Sequence, residues 1–544
     1  MFDCKRVFKT KQTASAKILF LIQITYYKMK KIVFMAACIV SSQYMLAQEP
    51  ADALRYSWYT PNGTARQQAI GGAGGSLGGD ISTVFINPAG LGFYKTGDFV
   101  LTPAYKLLNN KATYFGRAEK DKKNAFSFGT SGFVLGSGGT RNGKTRSSAI
   151  ALAINQTANF NSNILYRGLN KQSSYSQKFL EELSNNNVHT DAAATDYPFG
   201  TSLAINTYWI DTANGWSTGN KTFKSLATPL LAGGGLLQQQ TVTSKGGITE
   251  LALGGAVNYN EKLYVGGTIG IPFLHYKRES TFIEADATTD ATNRFDFASI
   301  TENLTTNGTG INVRAGLIYK PVEYIRLGFT IHSPTYFTLT DKYNASVTAN
   351  TENYQHEWTQ SSETFTGGKD GEFKYNLHTP YRIIASASYV LREIEDVRKQ
   401  RGFLTADIEY INYKASSYSS AQGADNSQST KDYLKSLNKA IDKAYKGALN
   451  FRLGGELKFT TWMVRLGGAY YGNPYKNIAG EKGSRFQLSG GLGYRNKGFF
   501  IDVAYVHTMG KDVHFPYRLQ STAFSGATIK NTGGNAVLTV GFKI

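Results

Sequence analysis

The chain has 544 residues, a formal charge of +20, 57 Gly, 34 Tyr, 32 Phe and only two Cys. Mean hydropathy of −0.30, without repeated apolar runs of about 20 residues, excludes a polytopic helical membrane protein; 13% aromatic residues exclude a disordered chain. High glycine and aromatic content without long apolar runs suits a many-stranded β-protein with aromatic girdles.

Met29-Lys30-Lys31, the apolar run Ile32–Val40 and Met45-Leu46-Ala47 before Gln48 read as a signal peptide over 29–47. Residues 1–28 then read as a mis-assigned start ahead of a signal complete without them. Both cysteines, Cys4 and Cys38, fall in this leader, so disulfides, thiol chemistry and Cys-based zinc sites are not expected. Without residues 1–47, which hold eight Lys/Arg and one acid, the charge surplus is +13. On an exported chain that surplus points to anionic lipid headgroups or a pore interior, not to nucleic acid.

Residues 48–97 differ from the rest of the mature chain: Ala65–Leu91 is Gly-rich, nearly uncharged and without sustained alternation. Ahead of the first strand, this stretch can fold back into a lumen as a plug or stay a flexible leader. Gly74-Gly75-Ser76-Leu77-Gly78 matches the nucleophile elbow but lacks the strand before and the helix after that the elbow requires.

From residue 98 to 544 the pattern has a period of two. In Asn450–Phe459, Phe451, Leu453, Leu457 and Phe459 take one face, while Asn450, Arg452, Glu456 and Lys458 take the other. Only a strand separates such sets. The spacing predicts fourteen strands at about 98–118, 124–137, 145–169, 246–259, 262–284, 295–319, 323–347, 371–392, 402–416, 448–459, 462–473, 484–495, 498–509 and 534–544. Short links at 260–262, 320–323, 459–462 and 494–498 contrast with long ones at roughly 170–245, 287–294, 348–370, 417–447, 473–483 and 510–533. Short turns at one end and long loops at the other are the layout of an outer-membrane barrel, and an even strand count returns both termini to the periplasmic side. The expected fold is therefore all-β, a 14-stranded antiparallel transmembrane β-barrel over 98–544 with a plug segment over 48–97. Arg326, Asp407, Glu409, Arg452, Glu456, Lys458, Arg465, Asp502 and Lys543 fall on the face expected to look inward. There they pair with each other and a plug, or line an ion- or solute-selective pore.

Gly138-Gly139-Thr140-Arg141-Asn142-Gly143-Lys144-Thr145 matches a phosphate-binding loop, but the stretch after it alternates like a strand where that loop needs a helix. Two long loops carry helical stripes. Tyr175, Phe179 and Leu183 recur every four residues, with Leu226, Leu230 and Leu231 beyond; Leu434, Leu437, Ile441 and Tyr445 follow an N-cap at Thr430. Each stripe either packs on its own loop or offers an apolar landing site for a hydrophobic ligand. The seven histidines show no i, i+4 pair and no H-E-x-x-H motif. No metal, cofactor or enzymatic activity is expected.

Asn87-Pro88-Ala89-Gly90-Leu91-Gly92, after the run Gly71–Gly79 and before the first strand, resembles the plug motif of the FadL/OmpP1/TodX outer-membrane transporters of hydrophobic compounds. His332-Ser333-Pro334-Thr335-Tyr336, Leu339-Thr340-Asp341 and Thr379-Pro380-Tyr381-Arg382 are similar to stretches in Bacteroidetes members. The resemblance implies a monomeric plugged barrel in the bacterial outer membrane, surrounded by lipid and lipopolysaccharide and inserted by the barrel assembly machinery. It would pass apolar solutes such as long-chain fatty acids from a loop groove to a pocket inside. Plug movement would then release them, in the best-understood members sideways through the wall. The ending Phe542-Lys543-Ile544 departs from the usual terminal aromatic. A structural or adhesive barrel with a permanently blocked lumen is the competing reading, and a polar porin the third.

Overall fold

The computed structural model describes residues 50–59, 62–139, 144–391, 401–476 and 483–544. The expected leader, both cysteines and the centre of the 138–145 turn lie outside these. Fourteen antiparallel strands form the barrel: β1 (98–114), β2 (117–138), β3 (145–170), β4 (Leu236–Tyr259), β5 (Leu263–Asp286), β6 (Phe297–Val322), β7 (325–350), β8 (371–391), β9 (402–420), β10 (Gly447–Lys458), β11 (Trp462–Tyr471), β12 (Arg485–Asn496), β13 (Phe499–His514) and β14 (Ala527–Lys543). β14 closes onto β1, pairing Lys543 with Asp98 and Val537 with Ala104. Closure pairs the strands round the ring and so satisfies their backbone groups in lipid, apart from one stretch between β2 and β3.

The alternation sorts the faces. Leu453 is 63% exposed while Arg452 and Glu456 are buried. Aromatic pairs mark the lower rim on the outside: Phe99–Phe133 at 4.9 Å, Phe499–Phe542 at 5.2 Å and Trp462–Tyr494 at 5.1 Å between ring centres. Among the described residues no helix is long and apolar enough to cross a membrane; the strands do the spanning.

Several strand limits differ from the periodicity. The first hairpin turns at Phe115 and Gly116, both with positive φ, not between 118 and 124. A two-residue turn of this kind usually carries Asn-Gly or Asp-Gly, and Phe-Gly hid it. β4 starts at Leu236 instead of 246, and β14 at Ala527 instead of 534. Their outer ends stand clear of the apolar band, so polar residues on both faces erase the alternation.

Six strands are interrupted, β3 at Phe160-Asn161 and β9 at residues 413–416 among them. β7 breaks at Ser333-Pro334-Thr335 and β8 at Thr379-Pro380-Tyr381, where each proline lacks a ladder donor. The breaks are tied together: Thr335 N donates to Thr379 Oγ1 (2.8 Å) and Thr379 N to Thr335 O (3.0 Å). β1 breaks at Thr102 and β2 at Gly129-Thr130. Above that break lies an unladdered seam. Ser131–Gly138 of β2 pairs with β3, but among the described residues no ladder joins Arg117–Phe128 to β3. Side chains bridge it instead: Asn163 Nδ2 donates to Lys122 O (3.3 Å), and Arg167 Nε to Glu119 (2.7 Å).

Candidate functional site

The segment ahead of β1 lies within the ring of strands. It carries α1 (Pro50–Ser57), α2 (Ala65–Ala69), α3 (Thr83–Ile86) and a 3-10 turn over Pro88–Phe93. Its Gly-rich composition and the inward glycines of the wall explain each other. A Cβ on Gly266 would sit 2.5 Å from Pro88 C, and one on Gly454 would sit 2.2 Å from Ile70 O. Bare backbone on both sides lets the segment touch the wall directly.

Within the motif, Asn87 caps its own turn, accepting from Ala89 N (3.1 Å). Its Nδ2 donates to Gly75 O (2.6 Å) and to Leu317 O of β6 (3.1 Å), so one amide joins the turn, the Gly-rich run and the wall. Pro88, Ala89, Gly90, Leu91 and Gly92 are buried around it. The other two motifs meet this one. His332 Nε2 donates to Ile86 O (2.8 Å), and its Nδ1 accepts from Arg382 Nη2 (2.8 Å). The Arg382 guanidinium also lies over the Tyr59 ring at 4.1 Å. A cavity of ≈ 60 Å³ opens here, lined among others by Tyr59, Glu250, Arg314, His332, Thr379 and Arg382. Ligand pockets run to about 300–1,000 Å³, several times this volume.

The inward charges form two buried groups. Glu409 accepts from Arg452 and from Arg382 (3.3 Å). Glu456 takes Arg465 (2.6 Å) and Arg66 of α2 (3.2 Å), with Lys458 at 3.9 Å, and Arg465 reaches Asp502 (2.5 Å). Asp407 accepts from Gly74 N (3.0 Å) and Gly75 N (3.2 Å). Arg326 is buried with its guanidinium 4.7 Å from the Phe93 ring, while Lys543 is exposed on Asp98 (3.1 Å). These charges thus hold the segment and one another rather than lining an open pore.

On the opposite side the contact is neutral. Asn62 Nδ2 donates to Phe128 O of β2 and to Gln156 O of β3, both at 2.9 Å, spanning the foot of the seam. Its Oδ1 accepts from Gln68 Nε2 (2.8 Å). Gly129 leaves room for this approach, since a Cβ there would lie 2.2 Å from Gly63 O. Periodicity could not single out Asn62; a polar residue before a Gly-rich run is too common a signal.

The two loop stripes join one apolar cluster. It holds Tyr175, Phe179 and Leu183 of the first long loop, Leu226 and Leu230 beyond them, and Leu434, Leu437, Ile441 and Tyr445 of the other, with Leu231 packed at its border. Helix α4 (Ser176–Asn185) and helix α5 (Gln428–Ala444) present these faces. The cap of α5 is Ser427, not Thr430: the Ser427 side chain accepts from Thr430 N (3.3 Å), and Asp425 accepts from both hydroxyls. Ala53, Leu54 and Tyr56 of α1 reach the same cluster from below, and Phe160, Tyr276 and Phe282 add the wall. Buried Glu284 fixes the first loop, accepting from Tyr175 N (3.1 Å), Trp209 Nε1 (3.0 Å) and Gln238 Nε2 (3.0 Å). Trp209 and Glu284 were missed in the sequence because each acts by position in a fold that joins residues 75 apart.

An aromatic-girdled barrel of fourteen strands, its lumen charges neutralised and an apolar cluster in its outer half, defines an outer-membrane transport barrel. Residues 238–543 match the family model described as outer membrane protein transport protein (OMPP1/FadL/TodX), and the chain belongs to that family. Its members are outer-membrane transport proteins for hydrophobic compounds, not enzymes. A Pseudomonas aeruginosa FadL homologue is 14% identical with a TM-score of 0.52, covering 89% of this chain and 99% of its own. A deltaS2 mutant of the TodX monoaromatic hydrocarbon channel is 12% identical with a TM-score of 0.50, covering 90% and 99%. The P. putida toluene transporter TodX is 12% identical with a TM-score of 0.49, covering 89% and 99%. No curated protein matches the chain in sequence.

Proposed function

We propose that this chain takes up hydrophobic small molecules such as long-chain fatty acids passively, capturing them between α4 and α5 and releasing them when residues 62–94 shift. The observation that carries this is the single apolar cluster shared by both loop helices, α1 and the inner wall. Apolar solutes gain nothing from an aqueous pore and much from such a surface. The seam between β2 and β3, latched by Asn62, is the exit this reading favours. The second reading, a structural or adhesive barrel permanently blocked, draws on the buried ion pairs that pin the segment.

A reversible lock separates the two. Ser76 Oγ lies 2.8 Å from Ser386 Oγ and 2.5 Å from Ser388 Oγ of β8, close enough for a disulfide in S76C/S388C. Labelled fatty acid is followed into cells lacking their own transporter, at equal surface levels. Uptake that the oxidised lock abolishes and reductant restores supports a gated transporter. Uptake indifferent to the lock removes the gate, and no uptake by the unmodified chain leaves the structural reading.

A further inference from the structure

The outer end of β13, β14, β1 and β2 carries a row of charge that transport does not use. Lys511 pairs across the ladder with Lys530, Lys530 with Lys111, and Lys111 with Lys120. Lys122 stands two positions further along β2 on the same face, and all five are exposed. The nearby acids of these strands, Glu119, Asp121 and Asp512, occupy the alternate register and so face the other way. Glu119 is moreover taken by Arg117 and Arg167. Among the described residues none of the five ammonium groups has a carboxylate partner. Like charges directly opposite destabilise a sheet, and strands about 4.8 Å apart repeat that opposition three times here.

Their height identifies what offsets it. Phe542, in the lower aromatic rim, stands twelve residues along β14 from Lys530. At about 3.4 Å per residue and a tilt of about 40°, that is about 31 Å up the membrane normal, against an apolar band about 25 Å tall. Between them the outward positions are Thr532, Gly534, Ala536, Leu538 and Val540, none of them charged. The ammonium groups therefore stand just beyond the acyl boundary on the external side, where outer-leaflet headgroups carry their phosphates. We propose that Lys111, Lys120, Lys122, Lys511 and Lys530 form a binding site for the phosphate groups of an outer-leaflet glycolipid. The site rests on the barrel's outer-membrane orientation and not on what the barrel transports. With β2 supplying two of the five lysines, the bound lipid stands beside the seam.

The test uses the full barrel in uncharged detergent, titrated with bisphosphorylated lipid A, its phosphate-free form or inorganic phosphate, and read by native mass spectrometry. K111Q/K511Q/K530Q is compared with the unmodified chain. The expected result is lipid A binding weakened about a hundred-fold by the three substitutions, with the phosphate-free form binding both proteins equally weakly. Thermal unfolding guards against a misfolded variant. Freed of repulsion, the variant melts at the same or a higher temperature in neutral detergent, and lipid A raises the melting temperature of the unmodified chain alone. Should the triple variant not fold, K530Q, which removes a lysine flanked on both sides, carries the same comparison with a smaller shift. Equal lipid A binding or equal thermal gain in both proteins overturns the site, as does inorganic phosphate binding as tightly as lipid A.

Discussion

Asn62→Ala tests the latch at the seam. The substitution removes two donated hydrogen bonds, to Phe128 O and Gln156 O, and one accepted from Gln68. At about 1 kcal/mol net for each neutral hydrogen bond the closed state loses about 3 kcal/mol. With 1.4 kcal/mol per factor of ten, the open population rises about a hundred-fold. Asn62 is only 4% exposed, so water does not replace the lost partners in the closed state. The assay is hydrogen exchange at Gly129 and Phe160 beside the seam, paired with the initial rate of labelled fatty acid uptake. Exchange and uptake should rise together, while melting of the barrel shifts little, since no strand pairing is lost. Unchanged exchange at both amides would refute the idea that Asn62 holds the seam shut.

The same geometry sets three further expectations. G454A puts a Cβ against Ile70 O at 2.2 Å and displaces the segment, so cells should become permeable to a small polar antibiotic; an unaltered inhibitory concentration counts against the plug role. L434A removes a buried side chain that α5 contributes to the apolar cluster, costing about 2–5 kcal/mol, and should raise the fatty acid concentration for half-maximal uptake and quicken proteolysis of the 417–447 loop. Asp425, outside the wall, has its carboxyl held below the usual range by the Thr430 hydroxyl and then by the Ser427 amide. A depressed folded pKa stabilises above the unfolded value of about 3.9 and is lost as pH falls through the folded one. The first turn of α5 should therefore loosen only below about pH 4, read by exchange at Thr430, and D425N should abolish that dependence.

How much was legible depended on whether a residue's partner lay beside it in a repeating pattern. Leu453 against Arg452 shows its face at once, because lipid on one side and lumen on the other impose a period of two. Where the buried face is itself partly polar, as at Gln238, Gln240 and Ser244 of β4, the period fades in the sequence and strand ends are misplaced. The stripes of α4 and α5 could be read as apolar faces, but that they meet in one cluster depends on loops folding over the mouth. Asn62, Trp209 and Glu284 carry no local signal: most of their partners lie far away in the sequence. The Asn-Pro-Ala, His-Ser-Pro-Thr and Thr-Pro-Tyr-Arg stretches could be recognised singly. That His332 joins Ile86 to Arg382 depends on β7 and β8 both breaking at prolines beneath the same turn.

The two sides of the segment are held by unequal bonds, and under the proposed gating this sets the direction in which it would move. Toward β9–β13 it is tied by Arg66 to Glu456 and by the Gly74 and Gly75 amides to Asp407, all buried. Hydrogen bonds to a charged group contribute about 1.5–3 kcal/mol each, and stranding a buried charge costs about 3–5 kcal/mol. Toward β2, β3 and β14 the ties are neutral: Asn62 to two carbonyls, and Ala65 N to Thr539 Oγ1 (2.7 Å). Opening should therefore start at the seam, with the ionic side as the hinge. Native-state exchange reads this directly, as Thr64 and Ala65 should open at lower free energy than Gly74 and Gly75. D407N, which keeps the shape of the acceptor and removes its charge, should narrow the gap from the Gly74–Gly75 side alone. If Gly74 and Gly75 instead exchange first, the hinge lies at the seam, and the exit must be sought along the β9–β13 wall.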